Sequence, residues 1–178
     1  MVIWVTGLSG AGKTALCAAL YEALKPRLPA LVRLDGDAMR EMWGEQLGYR
    51  EADRRIHISR VQRLAKLLAD QGLVVLVAAL YVHPELLAWN RTHLPGYVEI
   101  YLNASLELVR RRDVKQLYAR AARGEIRDVV GVDIPWHTPT APDLVIDVDH
   151  APAPEVLARQ VLDAIPRLSR RVHTPVSA

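Results

Sequence analysis

The stretch that decides the fold is "VIWVTGLSGAGKTALCAALYEAL", residues 2–24. Its first five residues form a continuous apolar run, as expected of a strand covered on both faces. Its last part, "TALCAALYEAL", reads as a helix. Between them "GLSGAGKT" (Gly7, Leu8, Ser9, Gly10, Ala11, Gly12, Lys13, Thr14) matches G-x-x-x-x-G-K followed by Ser or Thr. In that setting the glycines let successive backbone N–H groups turn inward around a phosphate chain, and the helix N-terminus adds positive potential. Lys13 is then expected to reach the terminal phosphates and Thr14 to ligate Mg²⁺, so ATP and Mg²⁺ are the implied cofactors. A glycine-rich turn that binds no nucleotide has no need of this strand and this helix around it. The loop alone does not distinguish a switch, a motor and a kinase.

Four more apolar runs lie downstream: "ALVRL" (30–34), "LVVLVAAL" (73–80), "YVEIYL" (97–102) and "DLVIDV" (143–148). Helical stretches are expected at 13–25, 37–46, 51–71, 84–93, 104–112, 115–123 and 155–168. In 51–71, Ile58, Val61, Leu64, Ala65 and Leu68 recur at helical spacing. Strands alternating with helices imply an α/β protein with a five-stranded, mostly parallel sheet flanked by helices. One domain is expected over 1–168. The stretch 113–141 lacks a clear strand and is dense in charge, glycine and proline, so a lid is placed at about 113–136. Residues 169–178 read as a disordered tail.

The second apolar run leads into "LDGDAMR" (34–40), two carboxylates around one glycine. Asp37 as the N-cap of the next helix explains one acid but not two. At a strand end on the same sheet edge as the phosphate loop, two carboxylates have separate jobs. One can hold water or Mg²⁺, and the other can accept a proton from an attacking hydroxyl.

Composition narrows the partners. The 178 residues carry 23 Lys and Arg against 20 Asp and Glu, a formal charge of +3. Arg170 and Arg171 sit in the expected tail and Arg167 just before it, and the other basic residues are mixed with acids. Small anionic substrates are therefore expected rather than nucleic acid. The single cysteine, Cys17, forms no intrachain disulfide, and the opening "MVIWVTGLSG" has no basic region before its short apolar run. Neither a membrane anchor nor a secretory signal is read there, and the expected location is the cytoplasm.

Taken together, "GLSGAGKT", "LDGDAMR", "LGYREADRRI" (47–56), "RDVKQLYARAARGEI" (112–126) and "GVDIPW" (131–136), in this order and spacing, resemble the adenylylsulfate kinase family. The resemblance spans about residues 1–148. It implies a P-loop kinase fold and transfer of the γ-phosphate of Mg·ATP to the 3′-hydroxyl of adenosine 5′-phosphosulfate, usually by a homodimer. By position it makes Asp37 the general base or hydroxyl-orienting group, with Lys13 and Asp35 beside it. Arg40 and Arg54 hold the acceptor's phosphate and sulfate, a job suited to a planar bidentate donor. Tyr49 stacks on the acceptor base, Lys115 reaches the acceptor, and Arg112 lies near the ATP base.

Three departures cluster on the acceptor side. His57 stands where the family carries asparagine, Val129 where it carries a second stacking phenylalanine, and Tyr81 where it carries serine. His57 is read either as a bland surface residue or as a proton-sensitive contact titrating near pH 5.5–7.5. Losing one ring of a stacking pair costs roughly 1–3 kcal/mol per base, while the ATP-side residues are intact. Some relatives in bacterial surface-polysaccharide pathways carry a similar "VVGVD" lid and "WNR" segment (Trp89 to Arg91). One activity assigned to these is 3′-phosphorylation of cytidine diphosphoramidate. The acceptor thus stays open between the two nucleotides. A nucleotide-binding regulatory module without phosphotransfer is the alternative from another class.

Overall fold

All five expected strands are present in the computed structural model, which describes residues 1–44, 47–113, 116–166 and 168. They are β1 (Val2–Gly7), β2 (Leu31–Asp35), β3 (Val74–Ala79), β4 (Val98–Asn103) and β5 (Leu144–Asp147). Each begins and ends within one residue of its apolar run. The sheet order is β2-β3-β1-β4-β5, and every pairing is parallel. β1 and β3 are buried at every residue, which is why their sequences show no alternation.

The helices are α1 (Lys13–Leu24), α2 (Gly36–Met42), α3 (Glu51–Asp70), α4 (Pro84–His93), α5 (Leu106–Arg112), α6 (Leu117–Ala122) and α7 (Pro154–Ala164). From β1 the chain steps over β3 to β2, then reverses, crossing from β2 to β3 and from β3 to β4. Right-handed crossovers therefore put α1 on one face of the sheet and α3 and α4 on the other. α7 packs on α1, and α4 on α3. The connections leaving β1 and β3 thus diverge to opposite faces, and they open a crevice beyond the carboxyl ends of those two neighbouring strands.

Two helices end earlier than their patterns imply. The one expected over 37–46 stops at Met42, because Gly44 takes a left-handed φ of 73°. The one expected over 155–168 stops at Ala164, since Pro166 disfavours a helical Ile165. The expected tail at 169–178 lies outside the described residues.

A buried polar seam fixes the α3/α4 layer against β4. Gln62 Nε2 donates to Asn90 Oδ1 (2.7 Å), Asn90 Nδ2 to Tyr97 Oη (3.2 Å), and Tyr97 Oη to Glu99 Oε2 (2.9 Å). Arg91 Nη2 reaches the same carboxylate oxygen at 2.8 Å. Burial raises the Glu99 pKa, opposed by Tyr97 and Arg91.

Candidate active site

The crevice beyond β1 and β3 holds a cavity of about 650 Å³. One wall is the phosphate loop. β1 ends at Gly7, where φ is 153° and a Cβ would come 2.7 Å from the Leu102 carbonyl oxygen, so only glycine lets the loop leave the sheet there. Gly12 caps α1 with φ 96° and offers no side chain, leaving the first N–H groups of α1 to a ligand. Lys13 Nζ donates to the Gly7 and Leu8 carbonyls, both at 2.8 Å, which folds the lysine across the loop. Ser9, Gly10, Gly12, Lys13 and Thr14 line the cavity. Leu8 and Ala11 are buried. Behind the loop the Cys17 thiol is pushed up to about 12, by burial first and then by Asp35, which makes it an inert core group.

The two aspartates of "LDGDAMR" divide their work. Asp35, the last residue of β2, is the N-cap of α2: its Oδ1 accepts from Asp37 N at 3.0 Å. Its Oδ2 accepts from Thr14 Oγ1 at 2.7 Å. The capping role considered for Asp37 therefore belongs to Asp35, because the helix begins at Gly36, two residues before the start at Ala38 that an Asp37 cap implies. Asp37 sits in the first turn of α2 and lines the cavity. Thr14 and Asp35 bring two hard oxygen donors together, which fits Mg²⁺, a cation that keeps several waters and substrate oxygens in its shell. Among the described residues no group of three His, Cys, Asp or Glu could hold a metal by itself.

The opposite wall is built from side chains. Arg40 Nη1 donates to the Leu47 and Gly48 carbonyls at 3.2 and 2.8 Å, and Arg54 Nε to the Tyr49 carbonyl at 2.8 Å. Both guanidiniums lie over the Tyr49 ring, 4.8 and 5.4 Å from its centre, although the tyrosine is 57% exposed. Burial and the neighbouring Arg40 lower the Arg54 pKa. This leaves two cations and one ring clustered at the cavity.

His57 and Tyr81 are both deeply placed. His57 is 4% exposed, its ring meets Trp43 edge to face at 5.4 Å, and it lies against the Gly36 backbone. Burial and Arg40 depress its pKa to about 4, so the expected titration near pH 5.5–7.5 does not occur and the ring is neutral there. The bland surface reading fails as well. Tyr81 is 2% exposed, and its hydroxyl donates to Glu51 Oε1 at 2.6 Å; burial and this bond hold its pKa well above the usual value. Val129 is buried and lines the cavity between the two walls.

Some expected residues stand apart from this cluster. Arg112 lies beside the loop, with Nη1 3.4 Å from the Gly10 carbonyl. Lys115 lies outside the described residues. Pattern reading missed Glu51, which is seen only through Tyr81, and Tyr118, whose hydroxyl donates to the Ser9 carbonyl at 3.2 Å. The aromatic in "QLYARAA" was a usable signal for the second; nothing local marked the first.

The profile of the adenylylsulphate kinase family matches residues 1–147. The chain belongs to the adenylylsulphate kinase family. An adenylyl-sulfate kinase of Deinococcus deserti is 42% identical over 162 residues, 91% of this chain and 89% of that one. A cytidine diphosphoramidate kinase of Campylobacter jejuni is also 42% identical, over 146 residues, 82% of this chain and 85% of that one. Among solved structures, the Mycobacterium tuberculosis APS kinase in complex with AMPPNP and APS superposes with a TM-score of 0.83 at 34% identity, covering 92% of this chain and 95% of that one. Percent identity is thus equal for a relative of each acceptor specificity, over a somewhat longer match for the adenylyl-sulfate kinase.

Proposed function

We propose that this protein is an ATP-dependent kinase that transfers the γ-phosphate to the 3′-hydroxyl of a nucleotide acceptor, adenylyl sulfate or a related nucleotide. The observation that carries this reading is the single cavity shared by Lys13, Thr14, Asp35 and Asp37 on one side and Arg40, Tyr49 and Arg54 on the other. In the step itself the 3′-oxygen bonds to the γ-phosphorus, the bond to the β-phosphate oxygen breaks, and ADP leaves. The hydroxyl proton passes to the Asp37 carboxylate. Lys13 unfolds from the loop carbonyls onto the terminal phosphates, and Arg112 serves the ATP base. Thr14 and Asp35 hold Mg²⁺, which when bound neutralises charge on the phosphate oxygens. Arg40 and Arg54 grip the acceptor's acidic groups, and Tyr49 stacks on its base.

A second reading, cytidine diphosphoramidate as acceptor, is favoured by Tyr81 and Val129. A buried tyrosine tied to Glu51 takes more room than serine, and valine offers no stacking face. Both changes suit a smaller base. His57, neutral and buried, completes this altered wall.

By family resemblance the protein works as a homodimer in the cytoplasm. Among the described residues no helix is long and apolar enough to cross a membrane. Light scattering on the eluted protein checks the dimer. Incubation with Mg·ATP and a panel of nucleotide acceptors tests the kinase reading. Acceptor-dependent ADP release is expected; none from any acceptor returns the protein to the regulatory-module alternative.

A further inference from the structure

We propose that Asp133 is a positioning residue for the acceptor wall, holding the Asp128–Val129 backbone in a turn that presents the Asp128 carbonyl to Arg54. Three observations converge on it. Asp128 has φ 65°, one of two non-glycine residues with positive φ among those described. Aspartate tolerates this left-handed region better than most side chains but less well than glycine, so something must hold it there. The Asp133 carboxylate does so: one oxygen accepts from Val129 N at 2.5 Å and the other from Asp128 N. The loop closes behind it, with the N–H groups of Val132, Asp133 and Ile134 all donating to the Val129 carbonyl at 3.0–3.1 Å.

The consequence of this turn lies in Arg54. Its Nη2 donates to the Asp128 carbonyl at 2.7 Å, while its Nε donates to the Tyr49 carbonyl at 2.8 Å. The guanidinium is therefore stretched between the α2–α3 connection and the loop before β5, and its rotation is set by both carbonyls. A guanidinium has five N–H donors, so the remaining ones stay available to an anion. Asp133 itself is exposed and is not needed to fill the core. Its work is to fix a loop whose carbonyl orients a cation. Arg40 is anchored separately, on Leu47 and Gly48, so losing Asp133 weakens acceptor binding without abolishing it. The phosphate loop has no bond to Asp133, and ATP binding is left alone.

This inference rests on the reading of Arg54 as an acceptor-holding group, and the test separates the two. Calorimetry measures binding of adenylyl sulfate, cytidine diphosphoramidate and a non-hydrolysable ATP analogue to the wild type, Asp133→Ala, Asp133→Asn, Asp128→Gly and the double variant Asp128→Gly/Asp133→Ala. For whichever acceptor the wild type binds, Asp133→Ala is expected to raise Kd roughly tenfold, with the ATP-analogue Kd unchanged. Glycine at 128 adopts the left-handed turn without help, so the double variant recovers most of that loss. A role in general stability predicts no such rescue.

An unchanged acceptor Kd in Asp133→Ala, an equal loss for the ATP analogue, or no recovery in the double variant overturns the proposal while leaving the kinase reading intact. Should the alanine variant not fold, Asp133→Asn carries the same comparison, with a smaller acceptor-selective loss expected and an unchanged Kd contradicting it. If the wild type binds neither of these nor any other nucleotide of the acceptor panel, the kinase reading falls and this inference falls with it.

Discussion

Across the cavity the same ligand edge is met in two ways. The phosphate wall works through backbone: Gly7, Gly10 and Gly12 all take positive φ, and the α1 N-terminus supplies the N–H groups. The acceptor wall works through side chains drawn from separate parts of the chain: Arg40 from α2, Tyr49 from the connection, Arg54 and His57 from α3, Tyr81 after β3 and Val129 beyond α6. A backbone cradle needs only glycines and a helix start, so changing its neighbours leaves it working. A side-chain wall changes specificity one residue at a time. This explains how one chain keeps an intact phosphate loop while departing at His57, Tyr81 and Val129.

The sharpest way to break this comparison is Asp37→Asn. Loss of the proton acceptor should lower kcat by about 10²–10⁴-fold with the KM for ATP unchanged, as read by steady-state ADP release. An unchanged kcat would remove Asp37 from the chemistry. Lys13→Ala should lower kcat by about 10²–10³-fold and, unlike Asp37→Asn, should also weaken binding of an ATP analogue by calorimetry. Arg54→Ala should raise the acceptor KM by roughly 10–100-fold and leave the ATP KM in place. Equal effects on both substrates would merge the two walls into one site.

Smaller changes sharpen the acceptor wall. Val129→Phe restores a stacking face and should shift the ratio of kcat/KM for adenylyl sulfate over cytidine diphosphoramidate upward by roughly tenfold. A fall in that ratio would contradict the size argument. His57 gives the smallest effect on turnover. With its pKa near 4, the ring keeps one charge state and the acceptor KM should show no His57-dependent change between pH 5.5 and 7.5. Its signature is in stability. Between an unfolded pKa near 6.5 and the folded value near 4, the unfolded chain binds a proton that the folded chain refuses. Stability is full above about pH 6.5 and falls as the pH drops through that window, by up to about 3 kcal/mol. Urea denaturation from pH 4 to 7 should show this slope in the wild type and lose it in His57→Asn.

The fold was legible because its signals are local and continuous. β1 and β3 are uninterrupted apolar runs, β2 and β4 are broken only by Arg33 and Glu99, and the phosphate loop sits between a strand and a helix within 23 residues. What sequence left obscure depends on distance or on a single competing residue. The helical patterns run past the ends of α2 and α7, because an apolar repeat does not register the stops at Gly44 and Pro166. The shift in the start of α2 also moved the cap from Asp37 to Asp35. Glu51 and Tyr81 lie 30 residues apart and Ser9 and Tyr118 lie 109 apart, so no local pattern joins them. His57 was read with an ordinary pKa because burial cannot be seen in a helical repeat that places it next to Ile58.

The central claim is that one cavity brings Mg·ATP and a nucleotide 3′-hydroxyl together. The most direct test incubates the protein with Mg·ATP and, separately and at equal concentration, adenylyl sulfate and cytidine diphosphoramidate, following ADP release and locating the new phosphate by ³¹P NMR. The account predicts acceptor-dependent ADP with the phosphate on the 3′-oxygen of at least one of them. No acceptor-dependent ADP from either, or a phosphate on another position, would contradict it.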